Sequence, residues 1–202
     1  MFIFRAPSIL SRLYPNSIWR KERTELKIYL TFDDGPIPDL TPWVLDVLKH
    51  YNIKATFFCV GQNISKNPEI FKRVLDEGHQ VGNHTYNHIK GWKSSNENYI
   101  DNVKKCQELT KTNLFRPPYG RITKKQFKLL SPDYNVVFWD VLTHDYDNRL
   151  TPEKCFKNAV KYTRNGSIIV FHDNIKAEQN LKYALPLYIE YFLKLNYKFA
   201  TL

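Results

Sequence analysis

Hydrophobic positions along the chain follow two rhythms that alternate. Short, nearly continuous apolar runs at residues 27–32, 55–60, 114–116, 135–139 and 167–171 predict β-strands, joined by a further strand at 79–82. The uninterrupted runs, 55–60 above all, are those of strands covered on both faces. Between them, apolar residues recur at helical spacing. Val44, Leu45 and Leu48 form a stripe after Thr41-Pro42, which predicts an N-cap with proline at the first helical position. Residues 68–77 predict a helix stopped at Gly78. Ser94-x-x-Glu97 reads as a capping box ahead of a helix with Tyr99, Val103, Cys106 and Leu109 on one face. Residues 124–130 are helical, and Thr151-Pro152 repeats the cap-and-proline start, with Phe156, Ala159 and Val160 inward and Asn165-Gly166 as the stop. Residues 181–195 are mostly helical, with Pro186 kinking that helix or marking its true start, and 197–201 closes the sheet.

This β-α order implies a parallel sheet, either an open doubly wound sheet or a closed barrel. The 202 residues suit one domain, with residues 1–26 as an N-terminal extension and 27–202 as the domain itself. Asp33, Asp34, His84, Arg116, Asp145 and His172 all fall just after predicted strands, and in parallel β/α folds those ends share the face where active sites are built.

Composition changes that picture little. Hydrophobic residues are 43% and charged residues 25%, as in ordinary soluble domains. The net charge of +10 suits an anionic partner, yet the lysines are scattered and no nucleic-acid motif accompanies them, so a solvated basic surface is expected and nucleic acid is not. Three widely spaced cysteines form neither a disulfide framework nor a CxxC site; Cys59 and Cys106 read as small core residues. No run approaches a membrane span. The first fourteen residues are broken by Arg5, Pro7 and Arg12 and lack an export-signal core, which reads as cytoplasmic by sequence, with an uncleaved, irregular signal as the alternative that leaves the location open.

The candidate chemistry begins at Thr31-Phe32-Asp33-Asp34-Gly35-Pro36. Adjacent carboxylates repel unless a cation intervenes, and a bend at Gly35 would turn one toward a metal and leave the other as a base. His84-Thr85-x-x-His88 sets two imidazoles on one side of a helical turn. With Asp34 they make three ligands and an open position, the pattern of a catalytic zinc site, which Co²⁺, Ni²⁺ or Mn²⁺ would also fit. Arg116-Pro117-Pro118-Tyr119 is a stiff segment able to hold a guanidinium against a carboxylate and to present the Tyr119 N–H. His172-Asp173 ends a buried strand and suits an oriented proton donor.

Taken in order, these four motifs resemble those of the polysaccharide deacetylases, the NodB-homology domain of carbohydrate esterase family four, over nearly the whole chain. The resemblance implies a single-domain, distorted (β/α) barrel that removes N-acetyl, or sometimes O-acetyl, groups from glycans such as peptidoglycan or chitooligosaccharide. It implies Asp33 as general base, Asp34, His84 and His88 as ligands of one divalent metal, and a water activated there as nucleophile. The Tyr119 N–H would help bind the oxyanion, His172 would protonate the leaving amine, and Arg116 would steady the carboxylates.

Two departures stand out. The fourth motif usually ends in Asp-Trp, where this chain has Asp145-Tyr146; Asp145 can still pair with Arg116 or His172, and Tyr146 gives the acetyl methyl a less bulky wall. Val170 replaces the usual Leu of the last motif and shortens the same wall. His144 reads as loop first and substrate contact second. A deacylase of a small amide or ester and a non-catalytic glycan-binding relic are the rival readings; a pure binder has no need of two adjacent carboxylates. A monomer is assumed.

Overall fold

The computed structural model describes residues 3–7 and 9–202, with only the backbone of Ile9. In chain order the elements are α1 (Ile9–Leu13), β1 (Lys27–Asp33), α2 (Leu40–His50), β2 (Thr56–Cys59), α3 (Gly61–Lys66), α4 (Pro68–Asp76), β3 (Gln80–Asn83), α5 (Asn96–Thr110), β4 (Leu114–Phe115), α6 (Lys124–Leu130), β5 (Asn135–Val136), β6 (Val141–Leu142), α7 (Pro152–Tyr162), β7 (Ile168–His172), α8 (Glu178–Lys194) and β8 (Lys198–Ala200). Every pairing between these strands is parallel, in the order β5-β4-β3-β2-β1-β7-β6, and β8 pairs with the start of β1. The sheet curls into a distorted (β/α) barrel whose strand pairing does not close between β5 and β6 among the described residues.

The pleat of β1 sorts its residues into two layers. Ile28, Leu30 and Phe32 point outward into the main core, where they meet Val44, Leu45 and Leu48 of α2 and Leu185, Tyr188 and Ile189 of α8. Tyr29, Thr31 and Asp33 point inward, above a small barrel-interior cluster that includes Phe58, Leu114, Val137 and Ile168. Strand β7 alternates the same way, in register with β1, so Asp33 pairs with His172 at the same level. Cys59 and Cys106 are buried free thiols, as core residues should be.

Residues 3–7 and 10–20 pack onto the domain. Phe4 enters the main core, Arg5 reaches Asp140 at 3.1 Å, Ile18 bridges Val137, and Trp19 stacks on Phe138 with ring centroids 4.2 Å apart. The seam between β5 and β6, across which no pairing is seen among the described residues, is covered by this segment.

Several local expectations need correction. Thr41 does not cap α2; its hydroxyl accepts from the Ile37 N–H and donates to Asp173, inside a helix that already starts at Leu40. The Ser94–Glu97 box does not form. Ser95 is the N-cap of α5, accepting from Asn98 N, while Ser94 Oγ bonds back to the Lys90 carbonyl. The reciprocal box lies at Thr123 and Gln126 instead. The run 135–139 gives only Asn135–Val136 as strand, and β6 follows as a separate piece. Helix α3 carries almost no apolar stripe and escaped the periodicity. Pro186 lies inside α8; Lys182, whose carbonyl would receive the missing N–H bond, is exposed and open to water.

Candidate active site

Asp33 ends β1, and the chain turns at once: Asp34 has φ 88°, a left-handed conformation that a non-glycine residue adopts at a cost. The turn is locked from three sides. Asp34 N donates to the Phe58 carbonyl at 3.2 Å, Asn63 donates to the Asp34 carbonyl at 2.7 Å, and Gly35 N donates to Asp173 Oδ1 at 3.0 Å. Gly35 must be glycine here, because an added Cβ would lie 1.9 Å from Asp173 Oδ2. Burial pushes the Asp173 carboxyl up to about 7, against the hydrogen bonds from Thr41 and Gly35. The result sends the two carboxylates in different directions, with the bend at Asp34 itself rather than at Gly35.

Asp33 faces the buried Arg116. The guanidinium Nη1 donates to Asp33 Oδ1 at 2.6 Å and to Thr31 Oγ1 at 2.8 Å, Nη2 donates to the Phe138 carbonyl at 2.9 Å, and the plane lies 4.0 Å over the Phe58 ring. A buried guanidinium needs such a shell, and these contacts supply most of it. Asp33 Oδ2 has no hydrogen-bond partner among the described residues and lies 3.9 Å from His84 Nε2.

His84 and His88 do meet, with ring centroids 5.1 Å apart, but not on a helix. Strand β3 runs into a loop in which Thr85 has φ 62° and His88 φ 55°, and positive φ breaks any helical turn. Asn102 on α5 pins the loop by accepting from Tyr86 N and Asn87 N. His84 Nδ1 lies 2.8 Å from the Arg116 carbonyl, which can only accept, so Nδ1 carries the proton and Nε2 a lone pair. Burial holds the His84 pKa down to about 4, keeping the ring neutral. That lone pair faces Asp34 Oδ1 at 3.6 Å, and His88 Nε2 lies 3.0 Å from the same oxygen. Asp34 Oδ1 is buried without a hydrogen bond of acceptable geometry, while Asn174 holds the other oxygen, Oδ2, at 2.5 Å. Ligand atoms of Asp34, His84 and His88 lie within 4.8 Å of one another. Electron-rich atoms so arranged fit a divalent cation with nitrogen and oxygen ligands.

On the other side, His172 ends β7. Its Nδ1 donates to Asp145 Oδ1 at 2.7 Å and its backbone N–H to Asp145 Oδ2 at 2.7 Å. Burial alone would lower the His172 pKa, but the Asp145 charge and hydrogen bond outweigh it and raise the value to about 9. Asp145 thus pairs with His172, not with Arg116. Tyr146 meets the His172 ring edge-on at 4.8 Å. The Tyr119 N–H finds no acceptor among the described residues, and Tyr119 itself has φ 60°.

Asp33, Asp34, His84, His88, Tyr119, Tyr146 and His172 line one cleft of about 660 Å³. Val170 does not. It points inward one layer below His172, fully buried, and the wall assigned to it is made by Leu142 and Trp139. His144 is tied to the Ile3 carbonyl at 3.0 Å and lies outside the cleft lining, as a loop residue. Sequence reasoning missed Asn174, which orients Asp34, and Trp139, an aromatic left half-exposed at the mouth. An asparagine two residues after a strand-end histidine was the available signal for the first.

Such a geometry belongs to the class of hydrolases that work with one metal ion. The particular family follows from likeness: this chain belongs to the polysaccharide deacetylase family, whose profile matches residues 20–132. Members of that family depend on a metal. The chain is 36% identical to a peptidoglycan-N-acetylglucosamine deacetylase of Bacillus cereus, over 91% of this chain and 89% of that one. A crystal structure of a peptidoglycan N-acetylglucosamine deacetylase superposes with a TM-score of 0.90 at 32% identity, over 98% of this chain and 95% of that one. A peptidoglycan-N-acetylmuramic acid deacetylase of Bacillus subtilis is 34% identical over 78% of this chain and 64% of its own.

Proposed function

We propose that the chain is a metal-dependent deacetylase that hydrolyses N-acetyl groups on a glycan of the peptidoglycan or chitooligosaccharide type. The observation that carries this reading is the convergence of Asp34, His84 and His88 around one carboxylate oxygen that lacks a hydrogen bond, beside a free Asp33 oxygen and an oriented His172. Asp34 Oδ1, His84 Nε2 and His88 Nε2 would hold the metal, with Zn²⁺ best suited to one carboxylate and two imidazoles. When bound, such an ion acidifies water and polarises a carbonyl.

The remaining work falls to the chain. Arg116 occupies Asp33 Oδ1, leaving Oδ2 to take the proton of the attacking water. The Tyr119 N–H offers a hydrogen bond to the oxygen that gains charge as water adds to the acetyl carbon. Asp145 accepts from His172 Nδ1–H and its charge favours the imidazolium, whose second proton, on Nε2, is the one offered to the cleft; this proton passes to the amide nitrogen as the C–N bond breaks. Acetate and a free amino sugar result.

The test is acetate release from chitooligosaccharides and peptidoglycan fragments by protein stripped with chelator and then given Zn²⁺, Co²⁺, Ni²⁺ or Mn²⁺. Release that disappears on stripping and returns with metal is the expected result. Release that is indifferent to chelation, in protein shown to be metal-free, would contradict the reading.

A further inference from the structure

Three cations line the same cleft: Lys90 beyond β3, Arg121 beyond β4 and Lys176 beyond β7. The only acids in that lining are Asp33 and Asp34, and both are already engaged, Asp33 with Arg116 and Asp34 with the imidazoles and Asn174. Among the described residues, none of the three cations forms an ion pair. Most other lysines and arginines among the described residues also lack an ion pair, so what sets these three apart is their shared place in the lining of one cleft.

The cations on the β3–β4 side are also held in place. Gly91 N donates to the Arg121 carbonyl at 3.1 Å and ties the two loops together. The Lys90 ammonium sits 4.4 Å from the Tyr119 ring centroid, and the Arg121 guanidinium 5.2 Å from that of Trp92. Aromatic faces of this kind reduce the freedom a long side chain must lose on meeting a ligand. Lys176 stands across the cleft, since β7 and β3 lie on opposite sides of β1 in the sheet order.

We infer that Lys90 and Arg121, faced by Lys176, form an anion subsite that reads a carboxylate carried by the glycan. The inference deepens the deacetylase reading and rests on it. A carboxylate can come from the lactyl ether of a muramic acid residue or from a peptide attached through it.

The test compares the kinetics of the metal-loaded protein on two matched pairs of substrates: a peptide-free, muramic-acid-containing oligosaccharide as free acid and as methyl ester, and a peptide-bearing fragment with its carboxylates free and amidated. The native protein should favour the free acid in at least one pair by on the order of five- to tenfold in kcat/KM at low salt, an advantage that shrinks as salt is added. The pair that shows it identifies the source. In the Lys90→Gln, Arg121→Gln double variant the ratio should fall close to one, and Lys90→Arg should preserve it. Equal cleavage of charged and neutral forms in both pairs would overturn the inference, as would a ratio that survives in the double variant. No acetate from any of the four while chitooligosaccharides are cleaved would overturn the subsite alone; no acetate from the four or from chitooligosaccharides would defeat the deacetylase reading, and the subsite with it.

Discussion

Arg116 is the residue on which the site's electrostatics turn, because it is fully buried and its partner Asp33 is 3% exposed. Replacing it with methionine would leave a buried carboxylate without its cation, a change that costs about 3–5 kcal/mol. Denaturant unfolding of Arg116→Met should therefore show a lower midpoint at unchanged slope, together with loss of acetate release; a midpoint near that of the native protein would contradict the pairing. His172 yields a prediction of a different kind. Folding raises its pKa to about 9, so the imidazolium proposed as the proton donor persists below that value and activity should fall as pH rises through it. The sign for stability is the same: the His172–Asp145 pair contributes fully below the unfolded histidine value of about 6.5 and loses its contribution as pH rises through the folded one. In Asp145→Asn the counter-charge is gone, so the alkaline limb of the activity profile should move to lower pH. A limb left in place would remove Asp145 from this role.

At the scale of elements, the turn between β1 and α2 is the most constrained. Gly35→Ala would drive a methyl into Asp173 Oδ2, and neither the strand nor the carboxylate bonded to Thr41 and Gly35 N has room to retreat. Loss of metal affinity and at least about 2 kcal/mol of stability is expected, within the range for overpacking and strain; a variant with native metal binding would show the turn to be softer than its contacts. Helix α5 gives a cleaner contrast. Ser95→Ala should cost about 1 kcal/mol and Ser94→Ala clearly less, since only Ser95 accepts from the helix. Equal costs in thermal or denaturant unfolding would restore Ser94 as a cap. These cases also show what could be read from the chain. Strand ends, the buried runs 55–60 and 167–171 and the helix 124–130 were readable because their signals are local. The capping serine was not, because Ser94 and Ser95 are chemically alike and the choice depends on where the Gly91–Lys93 turn delivers the chain. The motif histidines were readable as a pair, but their loop conformation depends on Asn102, 16 residues beyond Tyr86 in the sequence. Val170 was placed in the pocket wall by the likeness of the last motif, whereas in the barrel it is fully buried one layer below His172, outside the cleft lining.

At the scale of the whole molecule, the curled parallel sheet gathers five separate stretches of sequence at one end. Asp33 and Asp34 arrive on β1, His84 and His88 beyond β3, Arg116 and Tyr119 beyond β4, Asp145 beyond β6 and His172 on β7. The N-terminal segment adds to this frame by stacking Trp19 on Phe138, whose carbonyl holds Arg116. The fold by itself does not guarantee chemistry: a CE4 family pseudoenzyme from Bacillus anthracis shares it at a TM-score of 0.81 and 24% identity. The proposed mechanism rests on a division of labour between neighbouring carboxylates, one for the proton and one for the metal. Asp33→Asn tests that division most directly, with bound metal and acetate release measured on the same preparation. The account predicts metal content close to native and acetate release reduced by at least a hundredfold, since a general base contributes about 10²–10⁴. Native turnover in this variant, or loss of its metal, would contradict the assignment of Asp33 as base and Asp34 as ligand.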